Sequence, residues 1–128
     1  MLAAGEGRRF GGPKAPYELD GERLVDRAVH LLRDAGCEPV VVVLGAWVDR
    51  VDDADITVVN AGWASGMGSS LRLGLDTLVG TEADRVVVTL VDLPGLTTEA
   101  VQRLVDAGSD LAQATYAGER GHPVVLGR

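Results

Sequence analysis

The sequence predicts an α/β fold: a doubly wound, mostly parallel sheet with helices on both faces. Three β-branched runs alternate with segments of helical periodicity; they are PVVVVLG at 39–45, ITVV at 56–59 and RVVVTLVD at 85–92. Continuous apolar runs of this length are typical of strands that are covered on both faces. Their alternation with helices indicates parallel pairing through crossover connections. Ligands of such folds bind outside the carboxyl ends of the strands.

The other elements follow along the chain. Residues 1–3 form a short first strand before a glycine-rich loop, and one-sided apolar spacing predicts a helix over 22–35 that ends at Gly36. Further helices are predicted over 48–53, 67–78 and 98–107, and two strands, LAQATY and HPVVLG, flank the polar turn AGER. Because the first strand is short and VVLGR has no closing helix after it, we expect a domain that is truncated at one or both ends.

Length and composition restrict the class of protein. The 128 residues suit one domain, 1–128. The net charge of −7 disfavours a nucleic-acid partner, and the apolar runs are too short to cross a membrane. The sole cysteine, Cys37, excludes an internal disulfide, so we expect a cytoplasmic protein.

The loop LAAGEGRRFGGPK at 2–14 concentrates backbone freedom and positive charge. It holds four glycines, and Arg8, Arg9 and Lys14 are three of the twelve cations of an acidic chain. Glycines let successive N–H groups point into one concavity, and the cations add charge complementary to a phosphate. The loop therefore predicts a small anionic ligand, with a merely flexible loop as the alternative.

Two common phosphate loops do not fit this stretch. The dinucleotide pattern G-x-G-x-x-G requires glycine where Phe10 stands. The Walker A pattern fits Gly7 and Gly12 but then meets Pro13, so Lys14 comes one place late and no hydroxyl residue follows it.

Four motifs in order resemble the molybdenum cofactor nucleotidyltransferases, and most closely the molybdopterin cytidylyltransferase-like members. They are LAAGEGRRFGGPK, GWASGMGSSLRLGL at 62–75, VTLVDLPGL at 88–96 and YAGERGHPVVL at 116–126. The resemblance implies the glycosyltransferase-A-like nucleotidyltransferase fold over nearly the whole chain. The LAAG form is more typical of members that use CTP, whereas LAGG is more typical of those that use GTP.

The resemblance also implies roles for individual residues. The family arginine and lysine correspond to Arg9 and Lys14, which are expected to be catalytic and to bind the nucleotide. The residues expected to line the nucleotide are Leu2, Ala3, Ala4, Gly5 and Gly7. The late motif suggests acceptor binding by Arg120, Gly121 and His122, in a turn at the ligand edge.

Other candidates follow from the residues themselves. Asp92 ends a buried apolar strand, where an unpaired carboxylate is costly, so we expect it to hold Mg²⁺ with a triphosphate or else to cap the next turn. Ser65, Gly66 and Ser70 lie where a helix begins, so they either contact the nucleotide or act as ordinary capping residues. Asn60 either reads a base or ribose edge or serves as a turn residue. His30 is expected to be solvated.

These features together predict a Mg²⁺-dependent nucleotidyltransferase. A phosphate of a small acceptor such as molybdopterin would attack the α-phosphorus of a nucleoside triphosphate, CTP in preference, and release pyrophosphate. The resemblance further implies a molybdoenzyme or its chaperone as a protein partner. The alternatives are a transferase that uses GTP or a phosphosugar, a relative of nicotine blue oxidoreductase, and a nucleotide- or cofactor-binding module without turnover.

Overall fold

The computed structural model describes residues 1–7, 10–93, 95–107, 111–116 and 119–127, with the backbone alone at 111–116 and 119–121. The strands are β1 (Leu2–Ala3), β2 (Glu18–Leu19), β3 (Glu22–Arg23), β4 (Val41–Leu44), β5 (Ile56–Val59), β6 (Arg85–Val88), β7 (Leu111–Tyr116) and β8 (Glu119–Gly127). The helices are α1 (Leu24–Asp34), α2 (Met67–Leu78) and α3 (Thr98–Asp106), and a 3-10 turn spans Trp63–Ser65.

The strands form a mixed sheet, which confirms the predicted α/β class. β1, β4 and β5 pair in parallel in the order β1-β4-β5, whereas β8 runs antiparallel to both of its neighbours, β6 and β7. A parallel bridge between Leu2 and Leu90 joins the two groups, and the Leu2 N–H donates to the Thr89 carbonyl at 2.8 Å. The predicted strand over 85–92 therefore pairs regularly only as far as Val88.

α1 and α2 cover opposite faces of β4, because successive side chains of a strand point to opposite faces of the sheet. Val40, Val42 and Leu44 pack in one cluster with the buried face of α1. The intervening Val41 and Val43 belong to a second cluster, to which Leu71 of α2 also belongs. The valine run of β4 thus contributes to two cores at once, which explains why this run has no polar alternation. β5 differs from the prediction: Ile56 and Val58 pack in the second cluster, whereas Thr57 and Val59 are exposed, so this strand is covered on one face only.

This arrangement predicts very different costs for two valine truncations in neighbouring parallel strands. Val42 of β4 is fully buried, whereas Val59 of β5 is 51% exposed. Val42→Ala is expected to lower the free energy of unfolding by about 2 kcal/mol because it leaves a cavity. Val59→Ala, the matched control, is expected to change it by less than about 0.5 kcal/mol. Urea denaturation measures both, and equal effects would contradict this assignment of the core.

Local interactions close the ends of two helices. α1 ends at Asp34, and the predicted stop residue Gly36 follows it with a left-handed φ of +89° and an N–H that donates to the Arg33 carbonyl at 2.9 Å. The Thr97 hydroxyl caps α3 by accepting from the Ala100 N–H at 3.2 Å. No helix within the described residues is long and apolar enough to cross a membrane.

The helix predicted over 48–53 is wrong. Its polar side chains instead pair with neighbouring elements: Asp49 lies 3.5 Å from Arg23, and Asp53 lies 2.5 Å from His30 of α1. These tertiary ion pairs hold the segment along the edge of α1 as turns and extended backbone. His30 is also more than a solvated residue, because its Nδ1 lies 2.7 Å from the Glu22 carboxylate.

His30 makes stability depend on pH. Its hydrogen bond with Asp53, followed by that with Glu22, raises the pKa of the imidazole above its ordinary 6.5. Since the pKa is higher in the folded than in the unfolded protein, the stabilisation is complete below about pH 6.5 and is lost as pH rises through the folded-state pKa. We expect the free energy of unfolding, measured in urea from pH 5.5 to 8.5, to decline more steeply in the wild type than in His30→Gln. Equal slopes would contradict this.

Candidate functional site

A cavity of about 640 Å³ opens at the carboxyl ends of β1 and of the strand that contains β6. Its wall is formed by residues 2–7, by Lys14 and Ala15, by the start of α2 with the preceding 3-10 turn, and by residues 90–92. Five residues that the sequence expects to line a nucleotide are in this wall: Leu2, Ala3, Ala4, Gly5 and Gly7. The connection of parallel strands to helices brings these segments together at one edge of the sheet.

Gly7 fixes the shape of the loop. Its carbonyl accepts hydrogen bonds from the N–H groups of Phe10, Gly11 and Gly12 at 2.9–3.0 Å. Its φ is +64°, and a Cβ built on it would lie 1.9 Å from the Gly12 carbonyl oxygen. Only glycine fits there. The tight turn brings the chain back so that Lys14 faces the cavity.

Lys14 and Asp92 meet at this cavity. The Lys14 Nζ lies 3.0 Å from the Asp92 Oδ2, and their side chains are 35% and 36% exposed. The two residues are 78 positions apart in the chain. The sequence analysis assigns both to the site but does not predict that they pair. Arg9, the third predicted catalytic residue, lies outside the described residues, so its role stays a prediction.

An aromatic ring adjoins Lys14. Its Nζ lies 5.6 Å from the centroid of the Phe10 ring, within the range of a cation–π contact. Phe10 in turn packs edge-to-face against Tyr17, with ring centroids 5.0 Å apart. Phe10, the residue that excludes the dinucleotide pattern, thus contacts Lys14.

The start of α2 forms the opposite wall. Gly66 caps this helix without a side-chain hydrogen bond, so the first-turn N–H groups have no capping side chain. Gly66, Met67 and Ser70 line the cavity, and Ser70 is buried. Ser65 lies in the preceding 3-10 turn, where its hydroxyl donates to the Gly62 carbonyl at 2.8 Å, and it does not line the cavity.

Asn60 lies behind this wall, buried and with its amide engaged. Its Nδ2 donates to the hydroxyls of Ser69 and Ser70, each at 2.9 Å, and its Oδ1 accepts from the Gly62 N–H at 2.9 Å. Asn60 is not among the described residues that line the cavity. The geometry makes it a positioning residue for Ser70, and the predicted contact with a base or ribose stays a prediction.

The wall contains further residues outside the predicted set. Trp63, Ala64 and Met67 line the cavity beside the predicted residues. Gly45 lies behind them, where a Cβ would approach the Trp63 Cβ to 2.7 Å and the Ala4 Cβ to 2.8 Å. A glycine directly after a buried strand was the available signal for this close approach.

The predicted acceptor residues lie in a strand. Arg120, Gly121 and His122 lie within β8 and not in a turn, because Arg120 pairs with Thr115 across the β7–β8 hairpin. The side chains of Arg120 and Gly121 lie outside the described residues. His122 is half-buried and does not line the cavity. The turn prediction is corrected, while the acceptor role stays untested.

The cavity wall offers few groups that could bind a metal. No group of three His, Cys, Asp or Glu side chains that could hold an ion occurs in the part of the chain that the structure describes. Two carboxylate residues, Glu6 and Asp92, line the cavity. A hard divalent cation such as Mg²⁺ is commonly held by one or two carboxylates, with phosphate oxygens and water completing its shell. The residues present therefore suit a divalent cation that arrives with a triphosphate, and the assignment of Asp92 as its ligand stays a prediction.

A further cavity of about 410 Å³ lies at the opposite edge of the sheet, at the amino-terminal ends of β4 and β6. Valine and leucine side chains form most of its wall, and Cys37 lies there. Burial raises the pKa of the Cys37 thiol. This cavity has no glycine loop, so it is less suited to a polyphosphate.

Comparison with known families identifies the domain. The model of the MobA-like NTP transferase domain matches residues 1–128, the whole chain. The chain belongs to this family. The resemblance of its motifs to the molybdenum cofactor nucleotidyltransferases is thereby confirmed, as is the fold class.

Three similar proteins carry different descriptions. The MobA-like chain is 39% identical to the nicotine blue oxidoreductase of Paenarthrobacter nicotinovorans, over 98% of this chain and 68% of that protein. It is 37% identical to the probable molybdenum cofactor guanylyltransferase of Opitutus terrae, over 75% of this chain and 48% of that protein. A Mycobacterium tuberculosis protein, crystallised in complex with manganese, is 26% identical with a TM-score of 0.75, over 99% of this chain and 68% of that one. The chain thus spans 48% to 68% of the length of these relatives.

Proposed function

We propose that residues 1–128 form one nucleotidyltransferase domain that transfers CMP from CTP to a small phosphorylated acceptor such as molybdopterin. An oxygen of the acceptor phosphate attacks the α-phosphorus, the bond between the α-phosphorus and the bridging oxygen to the β-phosphorus breaks, and pyrophosphate leaves. The observation that carries the proposal is the convergence at one cavity of a glycine turn, the lone lysine and an uncapped helix N-terminus.

Each wall of the cavity has a task in this proposal. The loop over 2–7 lies against the nucleotide, with glycines that allow its backbone to approach the phosphates. Lys14 offsets negative charge on the phosphoryl oxygens, and the first-turn N–H groups of α2 offer further hydrogen bonds. Asp92 holds Mg²⁺. When bound, this ion would neutralise and orient the triphosphate.

The remaining elements of the proposal rest on the sequence. Arg9 adds a second cation to the loop, and Arg120, Gly121 and His122 contact the acceptor. A molybdoenzyme or its chaperone receives the product, in the cytoplasm. The manganese complex of the mycobacterial relative supports a divalent metal in this family.

Pyrophosphate release tests the reaction. The protein is incubated with Mg²⁺, molybdopterin and one of CTP, GTP, ATP or UTP, and pyrophosphate is measured by a coupled enzymatic assay. We expect release with CTP that requires both Mg²⁺ and the acceptor. Binding of CTP without release in any combination would leave a nucleotide-binding module and overturn the catalytic proposal.

Two alternatives are separated by the choice of nucleotide. The similarity to a probable guanylyltransferase favours GTP as the second candidate, and faster release from GTP than from CTP would decide for it. The similarity to nicotine blue oxidoreductase raises hydride transfer. Phe10 interrupts the dinucleotide pattern, so we expect no binding of NADH in a fluorescence titration.

A further inference from the structure

We propose that Lys14 is an exchangeable partner of Asp92, which couples the binding of the divalent cation to the binding of the triphosphate. The inference rests on the proposed function, because it concerns the same cavity. It adds that the two binding groups are already paired before either ligand arrives, because Lys14 and Asp92 form an ion pair with each other.

The geometry makes the two residues competitors for the ligands. The Asp92 carboxylate, which would contact a cation, already accepts a hydrogen bond from the Lys14 ammonium at 3.0 Å through its Oδ2. The same ammonium would contact a phosphate. Among the described residues of the cavity wall, Lys14 is the one lysine or arginine. A cation that arrives alone competes with Lys14 for the Asp92 carboxylate. A triphosphate that arrives alone takes Lys14 away and leaves the bare Asp92 carboxylate beside its own negative charges.

Simultaneous binding removes both penalties. Asp92 then faces the cation and Lys14 faces the phosphates, so every charge keeps a partner of opposite sign. About a third of each side chain is exposed, so water screens the ion pair and the exchange requires little energy. Since binding linkage is reciprocal, the triphosphate must raise the affinity for the cation by the factor by which the cation raises the affinity for the triphosphate.

The Phe10 ring supplies a second position for the ammonium during the exchange. The Lys14 Nζ already lies 5.6 Å from the ring centroid while it pairs with Asp92. A cation over an aromatic face stays attracted to it after the carboxylate has turned away. Phe10, whose ring packs against Tyr17, is thus a positioning residue that keeps Lys14 at the cavity.

A double-mutant cycle isolates the exchange. Lys14→Met, Asp92→Asn and the double variant are titrated by calorimetry with CTP in EDTA. In wild type, the Asp92 carboxylate competes with CTP for the Lys14 ammonium, whereas in Asp92→Asn this competitor has lost its charge. We expect Lys14→Met to weaken metal-free CTP binding by about twofold with Asp92 present and by about tenfold with Asn at position 92. Equal losses in both backgrounds would overturn the proposal.

Titration with Mn²⁺ alone, followed by electron paramagnetic resonance, gives the reciprocal result. Lys14→Met is expected to bind Mn²⁺ about fivefold more tightly than wild type, because Asp92 has lost its competitor. Unchanged or weaker Mn²⁺ binding would contradict the exchange.

Two controls complete the test. Glu6→Gln neutralises another carboxylate of the same wall, and in this background Lys14→Met should cost CTP affinity as it does in wild type. A tenfold loss of CTP affinity in the Glu6→Gln background would mean that any lost negative charge in the wall has this effect, which would contradict a specific exchange with Asp92. Thermal unfolding establishes that each variant is folded. Absence of nucleotide binding in every folded variant and in wild type would instead overturn the proposed function itself.

Discussion

Asp92→Ala is expected to lower kcat for pyrophosphate release by about a hundredfold to a thousandfold, and Lys14→Ala by a similar factor. Asp92→Ala removes the carboxylate that we assign to the metal. Lys14→Ala removes the lone lysine, whose ammonium we assign to the phosphoryl oxygens. Both variants lose a group that would stabilise charge developing in the transition state, so kcat should fall more than KM rises. A coupled pyrophosphate assay at saturating CTP and acceptor measures them.

Matched controls exist on the same chain. Asp76 and Arg72 lie on the exposed side of α2 and do not line the cavity. Asp76→Ala and Arg72→Ala remove the same charges and should keep kcat within about twofold of wild type. The Lys14–Asp92 pair is partly exposed, so breaking it should cost the fold less than about 1 kcal/mol. Wild-type rates in both site variants would refute the assignment.

Gly7→Ala is the second change with a large expected effect. The new methyl group would lie 1.9 Å from the Gly12 carbonyl oxygen and 2.7 Å from its carbon, at a φ of +64°. Backbone atoms cannot rotate away as a side chain does, so the turn must open. We expect CTP affinity to fall by about a hundredfold and the free energy of unfolding to fall by about 1–3 kcal/mol. Calorimetric titration and urea denaturation measure the two quantities.

Gly12→Ala is the matched control. It adds the same methyl group to the same loop, five residues later, where a Cβ meets nothing within 4 Å. Affinity and stability should therefore stay close to wild type. If both alanine variants lose affinity equally, the loop needs glycine for flexibility rather than for the Gly7 turn.

The sequence predicted most of the fold because its signals there are local. Valine runs identified β4, β5 and β6, and one-sided apolar spacing with Gly36 as the stop identified α1. The segment 48–53 shows where such signals fail. Its acidic side chains suit an exposed helix as well as ion pairs with Arg23 and His30, and only the packed neighbours decide between them.

The sequence by itself determined the family, the α/β class and the chemical character of the site: a glycine loop with one lysine, and a carboxylate at the end of a buried strand. Tertiary structure decided which groups meet. Lys14 pairs with Asp92 across 78 residues, and Asn60 supports Ser70 from behind the wall. Local pattern is set by neighbours in the chain and can be read from it. Ion pairs and the hydrogen bonds of buried amides join residues that are distant in the chain, and these residues come close only when the sheet has formed.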